Sequence, residues 1–375
     1  MRPSSSGSDV FAGVVARGGV AELVSGRAWL LAMLEFEAAL ARAQAQVGAI
    51  TVEEANEIAT VCRLEHFDVG EIGADAAEIG NPAGAVVARL KTLTDAPVHK
   101  GATSQDAVDT AAMLVTKRAL VPLLHDLRQA ATAAAALART HRDTPIMGRT
   151  LLQQAVPTTF GLKAAGWMVS LDEAADALVR LPLAAQLGGP AGNLGGIAED
   201  GTAALAVVTH LARDLGLDAP QLPWHTLRGR VGELAGALGV AAGALGKIAR
   251  DITLLAQTEV GEVREGRGGG STSMLHKHNP VAAVSALGCA LQAPALVATL
   301  LAAMVQEHER AAGAWHSEWR PLTALLTTTG SAAAWLRESL EGLEVDAGRM
   351  RQNLGDTEPD TGAAAILVDR ALEHR

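Results

Sequence analysis

Tyrosine is absent from this 375-residue chain, phenylalanine occurs four times and cysteine twice. So small an aromatic complement argues against a sheet protein of this length, which would draw on aromatic and β-branched residues. Cys62 and Cys289 are too few and too far apart for a disulfide framework or a metal knuckle, so reduced thiols of a cytoplasmic protein are expected. Basic residues are also short: 31 Lys and Arg face 41 Asp and Glu, a formal charge of −10. With no Lys/Arg cluster interleaved with aromatics, nucleic acid is not an expected partner. A small anion stays open, because local cations outweigh a distant field. The first 25 residues hold Arg2, Asp9, Arg17 and Glu22 and no sustained apolar run, so no signal peptide is expected. HExxH, P-loop and dinucleotide fingerprints are missing, and no His/Asp/Glu cluster has metal-ligand spacing. No metal and no cofactor are expected.

What fills the chain is alanine and leucine, within a hydrophobic content of 49%. Both are strong helix formers, so the expected fold is all-α. Three-to-four-residue spacing of Leu30, Leu31, Leu34, Ala38 and Ala41 predicts a helix over about 27–46. Thr51 followed by Glu53 and Glu54 predicts a helix start, and Asn81-Pro82 another, running to about residue 93. Long helices are predicted over about 106–141, 155–181, 196–216, 227–265 and 280–312, with a last section over 331–343. Helices this long suit a bundle packed on other bundles. Val281 to Gln306 has no charged residue over 26 positions. Ser285, Gln292 and Pro294 inside it, and no flanking Trp or Tyr belt, favour a helix buried all round in a bundle or oligomer over a membrane span. Breaks at Asp95-Ala96-Pro97 and near Asp346 divide the chain into 1–96, 97–345 and 346–375.

The most informative stretch runs from Gly266 to Pro280. Glycines at 266, 268, 269 and 270 let backbone approach a ligand closely, and Ser271, Thr272, Ser273, Lys277 and Asn279 follow. A strip of N–H donors, hydroxyls and an ammonium can close over a carboxylate and stabilise charge developing there. A solvated surface loop has the same composition. A second patch, Gly101-Ala102-Thr103-Ser104-Gln105-Asp106, sets adjacent hydroxyls before a helix. That pattern is either simple N-capping or an anion site. A third, His141 to Pro157, holds Thr150, Leu151 and Gln153.

In order of residues, Gly270 to Pro280 resembles the signature loop of the fumarase/aspartase superfamily, Gly-Ser-Ser-x-Met-Pro-x-Lys-x-Asn-Pro. Six positions match; Thr272 and Leu275 depart. Gly101 to Asp106 followed by Asp109-Thr110 resembles that superfamily's 3-carboxy-cis,cis-muconate cycloisomerase branch, as do Leu222 to Arg230 and Glu307 to His316. The third patch resembles Gly-x-Thr-His-x-Gln-x-Ala-x-Pro, with Leu151 in place of the His of the elimination enzymes. The likeness covers about residues 25–365. It implies a small helical N-terminal domain, a long central bundle and a truncated C-terminal domain. It implies a homotetramer with sites shared between subunits and a small polycarboxylate substrate. By the same resemblance Ser271 is the proton carrier, and Lys277 and Asn279 hold a carboxylate. Thr103, Ser104 and Gln105 contact a substrate carboxylate, and Thr150 and Gln153 belong to the matched third patch. His225 and Arg228 are candidate pocket residues, and His141 is a candidate acid or orienter. Two other readings stay open: a lyase that expels a good leaving group from a succinate-like substrate, and an inactive helical scaffold.

Overall fold

The computed structural model describes residues 10–267, 269–270 and 277–375. Among the described residues two short turns come first, α1 (Ala12–Val15) and α2 (Val20–Leu23), followed by α3 (Gly26–Gln46), α4 (Val52–Val61), α5 (Val69–Ile79) and α6 (Pro82–Leu90). Local chemistry sets these starts. The Ser25 hydroxyl accepts from Ala28 N, Thr51 and Glu54 form a reciprocal capping box, and the Asn81 side chain accepts from Gly84 N.

The central bundle contains α7 (Ser104–Thr140), α8 (Phe160–Val179), α9 (Gly201–Leu215), α10 (Gly229–Leu255), α11 (Val281–Ala290), α12 (Ala293–Ala302) and α13 (Ala314–Glu341). α14 (Ala347–Leu354) and α15 (Ala364–Glu373) close the chain. The core is built mostly from small side chains. Along α7, Ala111, Ala119, Ala130, Ala131, Ala134, Ala135 and Ala138 are all fully buried, which lets neighbouring helices approach closely. Larger residues such as Trp167, Phe160, Leu123 and Leu127 fill the remaining space.

Among the described residues, three two-stranded antiparallel ladders punctuate the helices: β1 (Pro145–Thr150) with β2 (Gln153–Thr159), β3 (Val263–Glu265) with β6 (Leu343–Val345), and β4 (Gly269–Gly270) with β5 (His278–Asn279).

Several expectations need correction. The helix expected from 155 starts at Phe160, because residues 153–159 form the return strand of a hairpin. The helix expected to run to 265 ends at Leu255. The last bundle helix begins at Ala314 rather than 331. The uncharged segment is two helices, since Pro294 sits in the first turn of α12 and cannot continue α11. Nor is it buried all round within the chain: Val284, Leu291, Leu301 and Val305 are exposed. By length and composition alone, Gly229–Leu255 and Val281–Ala302 could each cross a membrane. Here both pack in the bundle, on each other and on α13.

Candidate active site

The second patch, Gly101 to Asp106, is tied together by one buried carboxylate. Asp106 is fully buried in the first turn of α7. Its Oδ1 accepts from Gly188 N at 2.9 Å, and its Oδ2 from Gly189 N at 3.0 Å and Thr103 N at 2.9 Å. His225 Nε2 lies 2.7 Å from Oδ1. Gly101 makes the approach possible. It has φ +70°, and a Cβ there would stand 2.4 Å from Gly196 backbone. Three loops therefore meet at the start of a 37-residue helix, whose free N–H groups favour an anion. Arg310 donates to the Thr103 hydroxyl and brings a cation to that end.

One turn deeper, Arg228 is 3% exposed and lies between two carboxylates. It donates to Asp109 Oδ2 and Oδ1 at 2.7 and 3.1 Å, and to Glu318 Oε1 at 3.0 Å. Trp315 Nε1 donates to Asp109 Oδ1 at 3.0 Å, and Gln306 Nε2 to Glu318 Oε1 at 3.0 Å. Burial pushes the Glu318 carboxyl up, against the pull of Arg228. Gln105 is held from behind: its Nε2 reaches Asp109 Oδ2 at 3.1 Å and His225 O at 2.8 Å. His225, Arg228 and Gln105 are thus buried members of one polar network. Thr103 and Ser104, in contrast, lie nearer solvent at the helix entrance.

The third patch begins at the far end of α7. His141 is its C-terminal cap residue, with Nδ1 3.2 Å from Thr144 Oγ1 and its ring edge-on to Phe160 at 5.5 Å. Partial burial lowers its pKa. Gly161 lets α8 start against that end, since a Cβ there would meet His141 O at 2.7 Å. The hairpin β1–β2 projects from this junction, with Thr150 opposite Gln153 at its tip and Leu151-Leu152 as the turn. Both leucines adopt left-handed backbone, φ 52° and 63°, which side chains other than Gly and Asn rarely take. They are also 96% and 74% exposed.

The signature loop is anchored at its base. Glu265 accepts from Ala282 N at 3.1 Å and Ala283 N at 2.8 Å, capping α11, while His278 Nε2 lies 2.7 Å from Glu265 O. Gly269 pairs with Asn279, and Gly270 with His278. Lys277 is exposed and Asn279 half-buried. Ser271 lies outside the described residues. Just before the loop, Arg149 of the hairpin makes a bidentate pair with fully buried Glu262.

The structure therefore does not gather the sequence-derived candidates into one pocket. Thr103 to Gln105 cap one end of α7 and His141 the other, and 37 residues at 1.5 Å each put about 55 Å between them. Among the described residues no hydrogen bond or ion pair joins the three patches, and no three His, Cys, Asp or Glu side chains gather in metal-binding range. Sequence reasoning missed Arg310, Glu262 and the pair His99–Glu37, whose partners lie far away in the chain. For Arg310 the only signal was its place in the Glu307 to His316 stretch.

A family model described as lyase matches residues 20–294. Over 347 residues the chain is 47% identical to a 3-carboxy-cis,cis-muconate cycloisomerase of Bradyrhizobium diazoefficiens, covering 88% of this chain and 76% of that protein. It is 44% identical over 349 residues to a nitrosuccinate lyase of Streptomyces davaonensis, covering 88% and 73%. The crystal structure of the 3-carboxy-cis,cis-muconate lactonizing enzyme from Pseudomonas putida superposes with a TM-score of 0.87 at 39% identity, covering 97% of this chain and 87% of that one.

Proposed function

This chain belongs to the lyase family of the fumarase/aspartase superfamily, and from that premise we propose that it closes 3-carboxy-cis,cis-muconate to a carboxymuconolactone. The likeness in sequence and fold to enzymes of that activity carries the reading. In the reaction one substrate carboxylate oxygen bonds to a carbon of the conjugated diene. The displaced π electrons collect on the neighbouring carboxylate as an enolate-like dianion. Ser271 then gives its proton to the α-carbon and regains one from water. Lys277, Asn279, Thr103 and Ser104 face the developing charge, with Arg310 behind Thr103. Each well-aimed donor is worth about 10²–10³-fold and the proton carrier about 10²–10⁴-fold, so the donors together outweigh it. Gln105, His225 and Arg228 support this group as one network. Thr150 and Gln153 bring the hairpin tip to the substrate, with His141 orienting its base.

The length of α7 supports a site assembled from several copies, because one copy cannot bring its two ends together. We read the assembly as a homotetramer of a cytoplasmic protein. The exposed apolar side chains of α11 and α12 are suited to lie inside it.

The test is loss of the diene absorbance of 3-carboxy-cis,cis-muconate with purified protein, compared with Ser271→Ala. A second reading rests on the likeness to the nitrosuccinate lyase and on Leu151, which stands where elimination enzymes carry an acid/base His. A good leaving group needs no such help. An unchanged diene spectrum together with fumarate release from a substituted succinate would replace the first reading with the second.

A further inference from the structure

A cavity of about 580 Å³ opens between α3, α5, α6, α7 and α13; Val108, beside Asp109, brings one wall up to the start of α7. Its walls are almost wholly apolar: Trp29, Leu30 and Met33 from α3, Ile72 from α5, and Trp319 from α13. Its volume is within the range of small-molecule sites, and two indole rings suit a flat ligand. Trp29 Nε1 is already occupied by Thr323 Oγ1 at 3.2 Å. Arg320 is the one charged residue of the lining. It is exposed, and among the described residues no carboxylate or carbonyl partners its guanidinium. An apolar chamber with a single unpaired guanidinium is complementary to a flat apolar molecule that ends in one carboxylate.

We infer that this cavity is a binding site for an aromatic monocarboxylate, its rings between Trp29 and Trp319 and its carboxylate on Arg320. The site is separate from the one that performs the reaction, but not isolated from it. Trp319 packs edge-on against Trp315 at 4.8 Å, Trp315 Nε1 donates to Asp109, and Asp109 holds Gln105. An occupant that leans on Trp319 therefore bears on the Gly101 to Asp106 patch through three contacts.

Gly73 supplies the blocking variant. It lines the cavity, and a Cβ added there meets nothing within 4 Å, so a side chain can be grown from this position, and Gly73→Phe is the variant to occlude the cavity. The experiment is calorimetric titration of Ser271→Ala protein with 2-naphthoate and with neutral 2-naphthalenemethanol, the two cavity variants locating any binding. It reads binding alone and needs no turnover, so it stands whatever becomes of the proposed reaction. One 2-naphthoate per chain is expected, bound about tenfold or more tightly than the alcohol. Arg320→Met should erase that difference, and Gly73→Phe should abolish both. No saturable binding would overturn the site, as would binding indifferent to both substitutions. A Gly73→Phe protein of altered oligomeric size, from a parent that binds neither probe, would give the cavity to a second copy of the chain instead.

Discussion

Arg149 grips both carboxylate oxygens of Glu262, at 2.9 and 2.8 Å, and so fixes the β1–β2 hairpin to the strand that leads into the signature loop. Asn353 donates to the same carboxylate at 2.8 Å and draws α14 into the junction. Thr150 at the hairpin tip follows Arg149 directly, so its position depends on this pair. Arg149→Lys keeps the charge but loses the fork. Stability should fall by about 1–3 kcal/mol, and kcat/KM by about tenfold or more. Denaturant melts and steady-state kinetics on one preparation check both. Kinetics unchanged in a destabilised variant would reduce the pair to a structural brace.

Thr103→Val and Ser271→Ala disable different patches. If each site draws those patches from different copies, the two inactive proteins complement each other when unfolded and refolded together. Random mixing in a symmetric oligomer should restore about a quarter of wild-type activity. A mixture as inactive as its components would place both patches of each site in one chain.

The strained turn Leu151-Leu152 permits a test in which stability and activity part. Asn-Gly suits two consecutive left-handed residues, so the double substitution should stabilise the protein by about 1–3 kcal/mol. Turnover should nonetheless fall if the exposed leucines meet substrate in a neighbouring copy. A stabilised protein of full activity would exclude the tip from the site.

His99 carries a pH dependence of stability. Burial disfavours its charge, but the Glu37 carboxylate 2.6 Å from Nδ1, helped by Asp106, prevails and holds its pKa above the ordinary 6.5. Protonated His99 therefore contributes stability that is fully present below pH 6.5 and is lost as pH rises through the higher folded value. Thermal melts of wild type and His99→Gln should differ most below 6.5 and converge at alkaline pH. A difference that does not change with pH would show that the ring acts only by packing.

Helices with clear periodicity or a capping residue, such as α3, α4 and α7, were legible in the sequence because their signals are local. The hairpin was not. Gln153-Gln154-Ala155-Val156 has no alternation to announce a strand, and it is held by pairing with residues 145–150. The first half of α13 was hidden by Pro321 inside it and by Trp315, whose indole donates to Asp109 on α7. The motif patches were readable in order. The setting of Arg228 was not, because Asp109 and Glu318 lie 119 and 90 residues away. Sequence could name Thr103 and His141 as candidates, but only the unbroken α7 shows how far apart one chain holds them.

That one helix also bears on gene dosage. If, as proposed, the halves of a site ride on opposite ends of a rigid rod, a single copy would be not a slow enzyme but part of one. Activity per molecule should then fall on dilution once assemblies dissociate, and a cell making half as much chain could lose more than half its flux. A copy with one ruined patch would, in addition, spoil sites in the sound copies it joins.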